Sequence, residues 1–218
     1  MELADIFLFE EKFNQALIYY SQIDEDMSGD VIGQEASLKT AKTSYFKTDF
    51  EWASHQLKVL KSASSQLIAN DALDLFLLIS DNTVNDSLQV ALKKFAHADF
   101  LLYQNKKPES LAQFQAILKE NKGDDIEAVT LLRIGKIYEK LGDYPNALAN
   151  YDVIITKHKE SIYIDEALYF SAEIYNFQLK DSEKAKPLYE EMIFKHEDSI
   201  YYVDSRNKYR KLRGDTNL

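Results

Sequence analysis

The 218-residue chain carries 26 Lys and Arg against 36 Asp and Glu, a formal net charge of −10. Such acidity opposes non-specific nucleic-acid binding and attraction to anionic lipid. Six glycines and three prolines are too few for a turn-rich all-β fold, and the absence of cysteine excludes disulfides and thiolate metal sites. No apolar run approaches the roughly 18 residues of a membrane span.

The C-terminal half of the sequence contains an internal repeat. Residues 151–166, YDVIITKHKESIYIDE, return as residues 189–204, YEEMIFKHEDSIYYVD, with seven of the sixteen positions identical. A period between about 20 and 50 residues is typical of solenoid proteins. The sequence is therefore interpreted first as a stack of repeats.

The residue spacing within 131–163 predicts two helices joined by a turn. Gly135 and Tyr138 share one face of the first helix, and Gly142 ends that helix. Ala147 and Tyr151 then lie on one face of a second helix. A small residue on each helix allows the pair to approach closely, and the aromatic side chain fills the space beside it.

This pattern of small and aromatic positions resembles the tetratricopeptide repeat, although Lys159 stands where that repeat usually has a proline. The resemblance implies an all-α fold, a right-handed α–α superhelix (a tetratricopeptide-like solenoid) of about twelve helices. It also implies a non-catalytic scaffold that needs no cofactor and binds a protein or peptide segment in its concave groove. The alternative is a structural spacer within a larger multi-repeat envelope protein, with no ligand of its own.

Matching positions divide the chain into repeat units. The units are predicted at residues 1–24, 34–62, 98–121, 125–159 and 163–196, with a degenerate unit at 66–97 and a capping helix at 199–213. Val84 to Asn105 is predicted as one long helix, and residues 63–97 fit either a degenerate repeat or one inserted helix. One extra residue in the last unit is assigned to the turn Lys180–Ser182.

The N-terminal helix is short and carries Ile6, Phe7 and Leu8 where a solenoid end normally has a polar cap. We therefore expect a fragment of a longer protein and self-association through this helix. No basic segment follows Met1, so no signal peptide is predicted. The periods of 37 and 38 residues resemble those of bacterial cell-envelope members of the superfamily, which favours the periplasm or cell envelope over the cytoplasm.

The resemblance places the binding groove on the first helix of each pair. The apolar or aromatic row of this groove suits an extended peptide or a helix, and the alternative is that its side chains pack within the superhelix. The predicted groove residues are Leu38, Lys42, Tyr45, Phe95, Asp99, Tyr103, Leu132, Lys136, Glu139, Tyr169, Glu173 and Asn176.

Two further patterns are assigned structural roles. His158 and His196 are repeat-equivalent, which indicates a shared structural position. Residues 24–35 match the oxygen positions of an EF-hand loop, but Ile32 offers no oxygen and the match falls where the repeat needs its connection. An acidic linker with no metal is favoured over a calcium site formed by Asp24, Asp26, Ser28, Asp30 and Glu35.

Overall fold

The computed structural model describes residues 1–63, 65–83 and 89–215, and within these ranges every regular element is a helix. The helices are α1 (Glu2–Phe9), α2 (Phe13–Asp26), α3 (Val31–Phe46), α4 (Phe50–Ala63), α5 (Gln66–Asp81), α6 (Val90–Tyr103), α7 (Lys107–Glu120), α8 (Ile126–Lys140), α9 (Tyr144–Lys157), α10 (Ile164–Glu173), α11 (Ser182–Lys195) and α12 (Tyr202–Arg213). None of these helices is long and apolar enough to cross a membrane.

The chain forms two compact units, Met1–Ile117 and Leu118–Leu218. In the first unit, α1 packs on α2, α2 on α3, α3 on α4 and α4 on α5. In the second unit, the same holds from α8 to α12. Packing between consecutive helices is the architecture of helical repeat proteins. The predicted all-α, tetratricopeptide-like solenoid is therefore confirmed in the described ranges, while its right-handed path stays a prediction.

A left-handed backbone residue occurs in the turn within each helix pair. The residues are Glu11, Thr48, Asn105, Gly142 and Lys180, with φ between 57° and 76°. The next residue donates its N–H back to the first helix, as Asp49 does to Ser44 and Asp143 to Tyr138, both at 2.9 Å. This hydrogen bond satisfies a carbonyl at the end of the first helix and turns the chain into the second.

The last pair accommodates its extra residue inside a helix. Here the N–H of Asp181 donates to Tyr175 at 2.8 Å, one residue further back than in the other turns. The π-helical turn Ile174–Gln178, which continues α10, contains the additional residue. The assignment of the extra residue to the turn Lys180–Ser182 is wrong, because the turn keeps its usual form and the helix before it widens.

The middle of the chain differs from the predicted long helix. Within the described ranges α6 begins at Val90, and residues 84–88 of the predicted helix lie outside those ranges. The predicted boundary between residues 97 and 98 falls inside α6. The predicted pairing of Ala98 with Ser110 holds, since α6 packs on α7: Phe95 meets Phe114 edge to face at 5.0 Å, and the hydroxyl of Ser110 donates to the carbonyl of Ala98 at 2.8 Å.

The small positions of the repeat pattern are where paired helices touch. All of them are buried: Ala4, Ala16, Ala41, Ala53, Ala98, Ser110, Gly135, Ala147, Ala172 and Ala185. At Gly135 the approach is so close that an added Cβ would lie 2.3 Å from Cε1 of Tyr151. Tyr151 is fully buried, and its hydroxyl donates to Glu139 at 3.1 Å. The aromatic ring therefore occupies the space that a side chain at residue 135 would need.

The two repeat-equivalent histidines close the open ends of their helix pairs. Nε2 of His158, at the end of α9, lies 3.5 Å from Glu127 at the start of α8. Nδ1 of His196, at the end of α11, lies 2.6 Å from Asp165 at the start of α10. Each histidine contacts a carboxylate on the partner helix, which is a shared structural position in the last two pairs.

Gly135→Ala should destabilise the protein. The new Cβ would clash with Tyr151, and we expect a loss of about 1–3 kcal/mol in the free energy of unfolding by overpacking. This loss outweighs the higher helix propensity of alanine. Urea unfolding followed by circular dichroism measures the change. In a Tyr151→Leu background the shorter side chain leaves room, so the same alanine should cost less; an equal cost in both backgrounds would refute the contact.

Candidate binding faces on the first helices

The apolar or aromatic row of the predicted groove consists of Leu38, Phe95, Leu132 and Tyr169. Three of these four residues are in the core. Leu38, Phe95 and Leu132 are at most 6% exposed. Leu132 packs in one cluster with Ala147 and Tyr151, so it contacts the second helix of its own pair. A partner cannot reach these three side chains, and the packing alternative is the one that applies to them. A groove-lining position and a core position are both apolar at helical spacing, so the sequence alone did not distinguish groove lining from core packing for these three residues.

The groove positions of α3 are covered by helices of the same unit. Nζ of Lys42 lies 3.2 Å from Asp71 on α5. Tyr45 is buried, and its hydroxyl donates to Asp99 on α6 at 3.1 Å. The groove face predicted for α3 therefore lies against α5 and α6.

The C-terminal end of α6 is fixed against α1, α2 and α3. Phe100 packs with Phe13 and Phe46 at centroid distances of 5.2 and 5.1 Å. Tyr103 contacts Phe46 at 5.7 Å, and Nε2 of Gln104 donates to the carbonyl of Phe9 at 2.8 Å. In the first unit, the predicted groove residues thus make contacts within the protein.

In the second unit, the polar groove residues Lys136 and Glu173 lie on α8 and α10 and bond to side chains of the neighbouring first helices. Nζ of Lys136 on α8 pairs with Glu166 on α10 at 2.8 Å and lies over the ring of Phe170. Glu166 also accepts a hydrogen bond from the hydroxyl of Tyr201 at 3.3 Å. All these side chains are partly exposed. The contacts form a ladder, by which we mean the side-chain ties between neighbouring first helices.

The second part of the ladder ties α10 to α12. The hydroxyl of Tyr169 donates to Asp204 at 2.6 Å, and its ring stacks on Tyr201. Nζ of Lys208 lies 2.7 Å from Glu173 and 2.5 Å from Asp204. Burial alone would lower the pKa of Lys208, but its hydrogen bonds to these carboxylates raise that pKa above its ordinary value.

Glu173 and Asn176 both contact the second helix of their pair through Tyr189. The hydroxyl of Tyr189 donates a short hydrogen bond to Glu173 and accepts one from Asn176 at 3.5 Å. Burial, followed by the Glu173 contact, raises the pKa of Tyr189. The phenol therefore stays protonated and acts as a donor that holds Glu173 in place.

Glu139 is the one predicted acid of this face that forms no ion pair in the part of the chain that the structure describes. It accepts a hydrogen bond from Tyr151 at 3.1 Å. Burial raises the pKa of Glu139, and the charge of Glu173 adds to this shift, while the Tyr151 hydrogen bond and the charges of Lys136 and Lys140 act against it. The neighbouring lysines and the hydrogen bond from Tyr151 therefore do not fully offset the cost of burying the ionised carboxylate.

Five residues of the ladder were not predicted as part of the site: Glu166, Phe170, Tyr201, Asp204 and Lys208. Glu166 and Asp204 occupy equivalent positions in the internal repeat, 38 residues apart, and both are acidic. The repeated acidic residue could have indicated from the sequence that this position belongs to the site. Lys208 lies on the predicted capping helix, and its ammonium group contacts Glu173 on α10.

The EF-hand-like segment forms two helix ends and a connection. Asp24 and Asp26 belong to the last turn of α2, and the Asp30 carboxylate caps α3 by accepting from the N–H of Ile32 at 3.3 Å. Glu35 lies on α3, 3.6 Å from Lys39. Across the ranges that the structure describes, no three His, Asp or Glu side chains are grouped so that they could hold a metal ion.

Comparison with known families matches the centre of the second unit. Residues 130–161 fit the family model of the tetratricopeptide repeat, which spans most of α8 and all of α9. The chain contains a tetratricopeptide-type repeat. Such repeats are generally non-catalytic scaffolds for protein–protein interaction. No curated protein gives a significant match to the chain.

Lys208→Met should destabilise the second unit. It leaves Glu173 and Asp204 without their cation, and both Lys208 and Glu173 are more than three-quarters buried in the pair. We expect a loss of about 1–3 kcal/mol in the free energy of unfolding. Lys186→Met removes a more exposed pair with Glu183 and should change that energy by less than about 0.5 kcal/mol. Equal losses in the two variants would contradict a structural ladder.

Glu139→Gln should stabilise the protein at about pH 7. Because the pKa of Glu139 is raised above its ordinary 4.5, ionisation costs stability in the wild type as the pH rises through the folded-state pKa. Glutamine keeps an acceptor for Tyr151 and carries no charge. The advantage should vanish below the ordinary pKa, where both forms are neutral. Thermal unfolding across this pH range measures it, and an advantage independent of pH would rule out the electrostatic cause.

Proposed function

We propose that the protein is a non-catalytic scaffold that binds a cation-bearing polypeptide segment on the α8–α10–α12 face of its second unit. The observation that supports this proposal most directly is Glu139, a partly buried carboxylate without an ion pair in the described part of the chain, on a face of neighbouring first helices. The general role of tetratricopeptide repeats as interaction scaffolds supports the same reading.

The chemistry of this face favours a polar, basic partner over an apolar one. Leu132 is buried, so the predicted apolar row contributes little surface here. The partly exposed groups are the carboxylates of Glu139, Glu166, Glu173 and Asp204 and the ammonium groups of Lys136 and Lys208. Both lysines are already paired with carboxylates. A Lys or Arg from a partner would therefore meet an excess of negative charge.

The interaction with Glu139 would be stronger than an ordinary surface pair. The carboxylate is partly desolvated before any partner arrives, so part of the cost of burying it has already been met by folding. A cation placed beside it relieves the unfavourable effect of Glu173. The fixed hydroxyl of Tyr151 holds the carboxylate in one position, which adds geometric specificity.

In the described part of the first unit, the corresponding positions of α3 already contact side chains of α5 and α6. We therefore place the partner on the second unit alone. The spacing of 37 and 38 residues between equivalent positions is the basis for retaining a bacterial cell-envelope setting within the proposal. In the alternative function, a spacer within a larger protein, no segment would bind this face.

A peptide array tests the proposal. Ten-residue peptides with Lys or Arg at varied positions are compared with matched peptides carrying Glu or Leu at the same positions. The wild type should bind a subset of the basic peptides, and Glu139→Lys should weaken that binding by about tenfold or more. Asp152→Lys makes the same charge change at an exposed position on the second helix α9 and should leave binding unchanged.

The outcomes separate the alternatives. Binding that both lysine variants weaken equally would show attraction to net charge and not to this face. Binding of acidic or leucine-bearing peptides alone would refute the proposed partner chemistry. A protein that captures no peptide while remaining folded would favour the spacer function.

A further inference from the structure

The outward side of α1 combines apolar and acidic groups. Ala4 and Leu8 are buried against α2, while Leu3 and Ile6 are 49% and 54% exposed. Of the carboxylates in segment 1–12, Asp5 pairs with Lys39 and Glu10 pairs with Lys12, whereas Glu2 and Glu11 form no ion pair among the described residues. The predicted self-association surface of Ile6, Phe7 and Leu8 therefore needs correction, because Leu8 is only 3% exposed and Leu3 is available instead.

The outward side of α12 combines apolar and basic groups. Ser205 is fully buried, and Tyr209 and Leu212 pack against the core of the last pair, so these three residues define the inner side. Val203, at the start of the helix, is 61% exposed. Arg206 and Arg210 follow it at helical spacings of three and four, so all three share the outer side.

Arg206 has a buried side-chain nitrogen without a hydrogen-bond acceptor among the described residues. The equivalent residue one repeat earlier, Leu168, is fully buried beneath the next helix. Nε of Arg206 is buried without a hydrogen-bond partner, and the guanidinium lies 5.8 Å from the ring of Tyr202. Arg206 and Arg210 form no ion pair with any residue in 1–63, 65–83 or 89–215. The side chains of Arg206 and Arg210 are partly exposed, so a carboxylate brought to this face would pair with their guanidinium groups.

We propose that the partner of this face is a second copy of the same chain, bound head to tail, with α12 of one copy against α1 of the next. The two faces have opposite charge and each carries exposed apolar side chains, so they match in both respects. A contact between two different faces is heterologous, so a head-to-tail dimer retains one free α1 face and one free α12 face. The protein should therefore associate into dimers and longer chains or closed rings. This inference concerns the end helices and does not depend on the peptide-binding proposal.

Two blocked variants of the 218-residue chain test the arrangement. Arg206→Glu/Arg210→Glu blocks the α12 face, and Leu3→Glu/Ile6→Glu blocks the α1 face by removing apolar contact and adding negative charge. Sedimentation velocity over rising concentration should show the wild type growing beyond a dimer, and less so at high salt. Each variant alone should be monomeric. An equimolar mixture should give a one-to-one dimer and nothing larger, because each variant supplies one working face.

Several results would overturn the proposal. Self-association that persists in the α12-blocked variant would show an α1-to-α1 contact instead. A wild type that stays monomeric up to about millimolar concentration would exclude a specific interface. Binding of the wild type to vesicles containing anionic lipid without self-association would assign the α12 face to a membrane surface. Circular dichroism checks the fold of both variants, and Val203→Glu/Arg210→Glu provides a second α12-blocked variant that leaves Arg206 in place.

Discussion

The close approach of paired helices at small residues determines most of the other features of this protein. At Gly135 the backbone of α8 lies so near the ring of Tyr151 that no side chain fits between them. This contact fixes the rotation of both helices, since any turn of either would drive backbone into ring. Because the ring is held, its hydroxyl reaches Glu139, and because α8 is held, Lys136 reaches Glu166 on the next first helix. One steric constraint inside a pair thus positions polar side chains that connect one pair to the next.

The two units use the same first-helix positions for opposite purposes. In the first unit, Tyr45 and Lys42 bond to side chains of α6 and α5, and the aromatic end of α6 packs around Phe46. In the second unit, the equivalent helices are tied by ion pairs that stay partly exposed. Contacts with α5 and α6 hold the α3 positions of the first unit, whereas the second unit leaves Glu139 without an ion pair among the described residues. This difference is why the proposed binding function is confined to the second unit.

The sequence predicted the architecture because the repeat pattern reflects local packing. Small residues at fixed spacing can only be explained by close helix pairs, so the pairs around Ala16, Ala53, Ala147 and Ala185 were predictable. The π-helical turn was not, because a single inserted residue can lengthen a turn or widen a helix, and local composition does not distinguish the two. The position of α6 depends on contacts such as Gln104 with Phe9, which join residues far apart in the chain. Helical periodicity carries no information about such contacts.

For the side chains of the candidate site, too, periodicity did not predict the long-range contacts. Periodicity identified which residues lie on the first helices, but Leu132 and Tyr169 were predicted as equivalent and are not: one is buried in its own pair and the other bonds to Asp204. The distinction arises at α12, where Lys208 completes the ladder inward while Arg206 and Arg210 point away from it. The same helix therefore supplies Lys208 to the ladder and carries Arg206, whose Nε is buried without a hydrogen-bond partner among the described residues. Position within the repeat does not separate these two roles, because both cations follow from the basic composition of one helix.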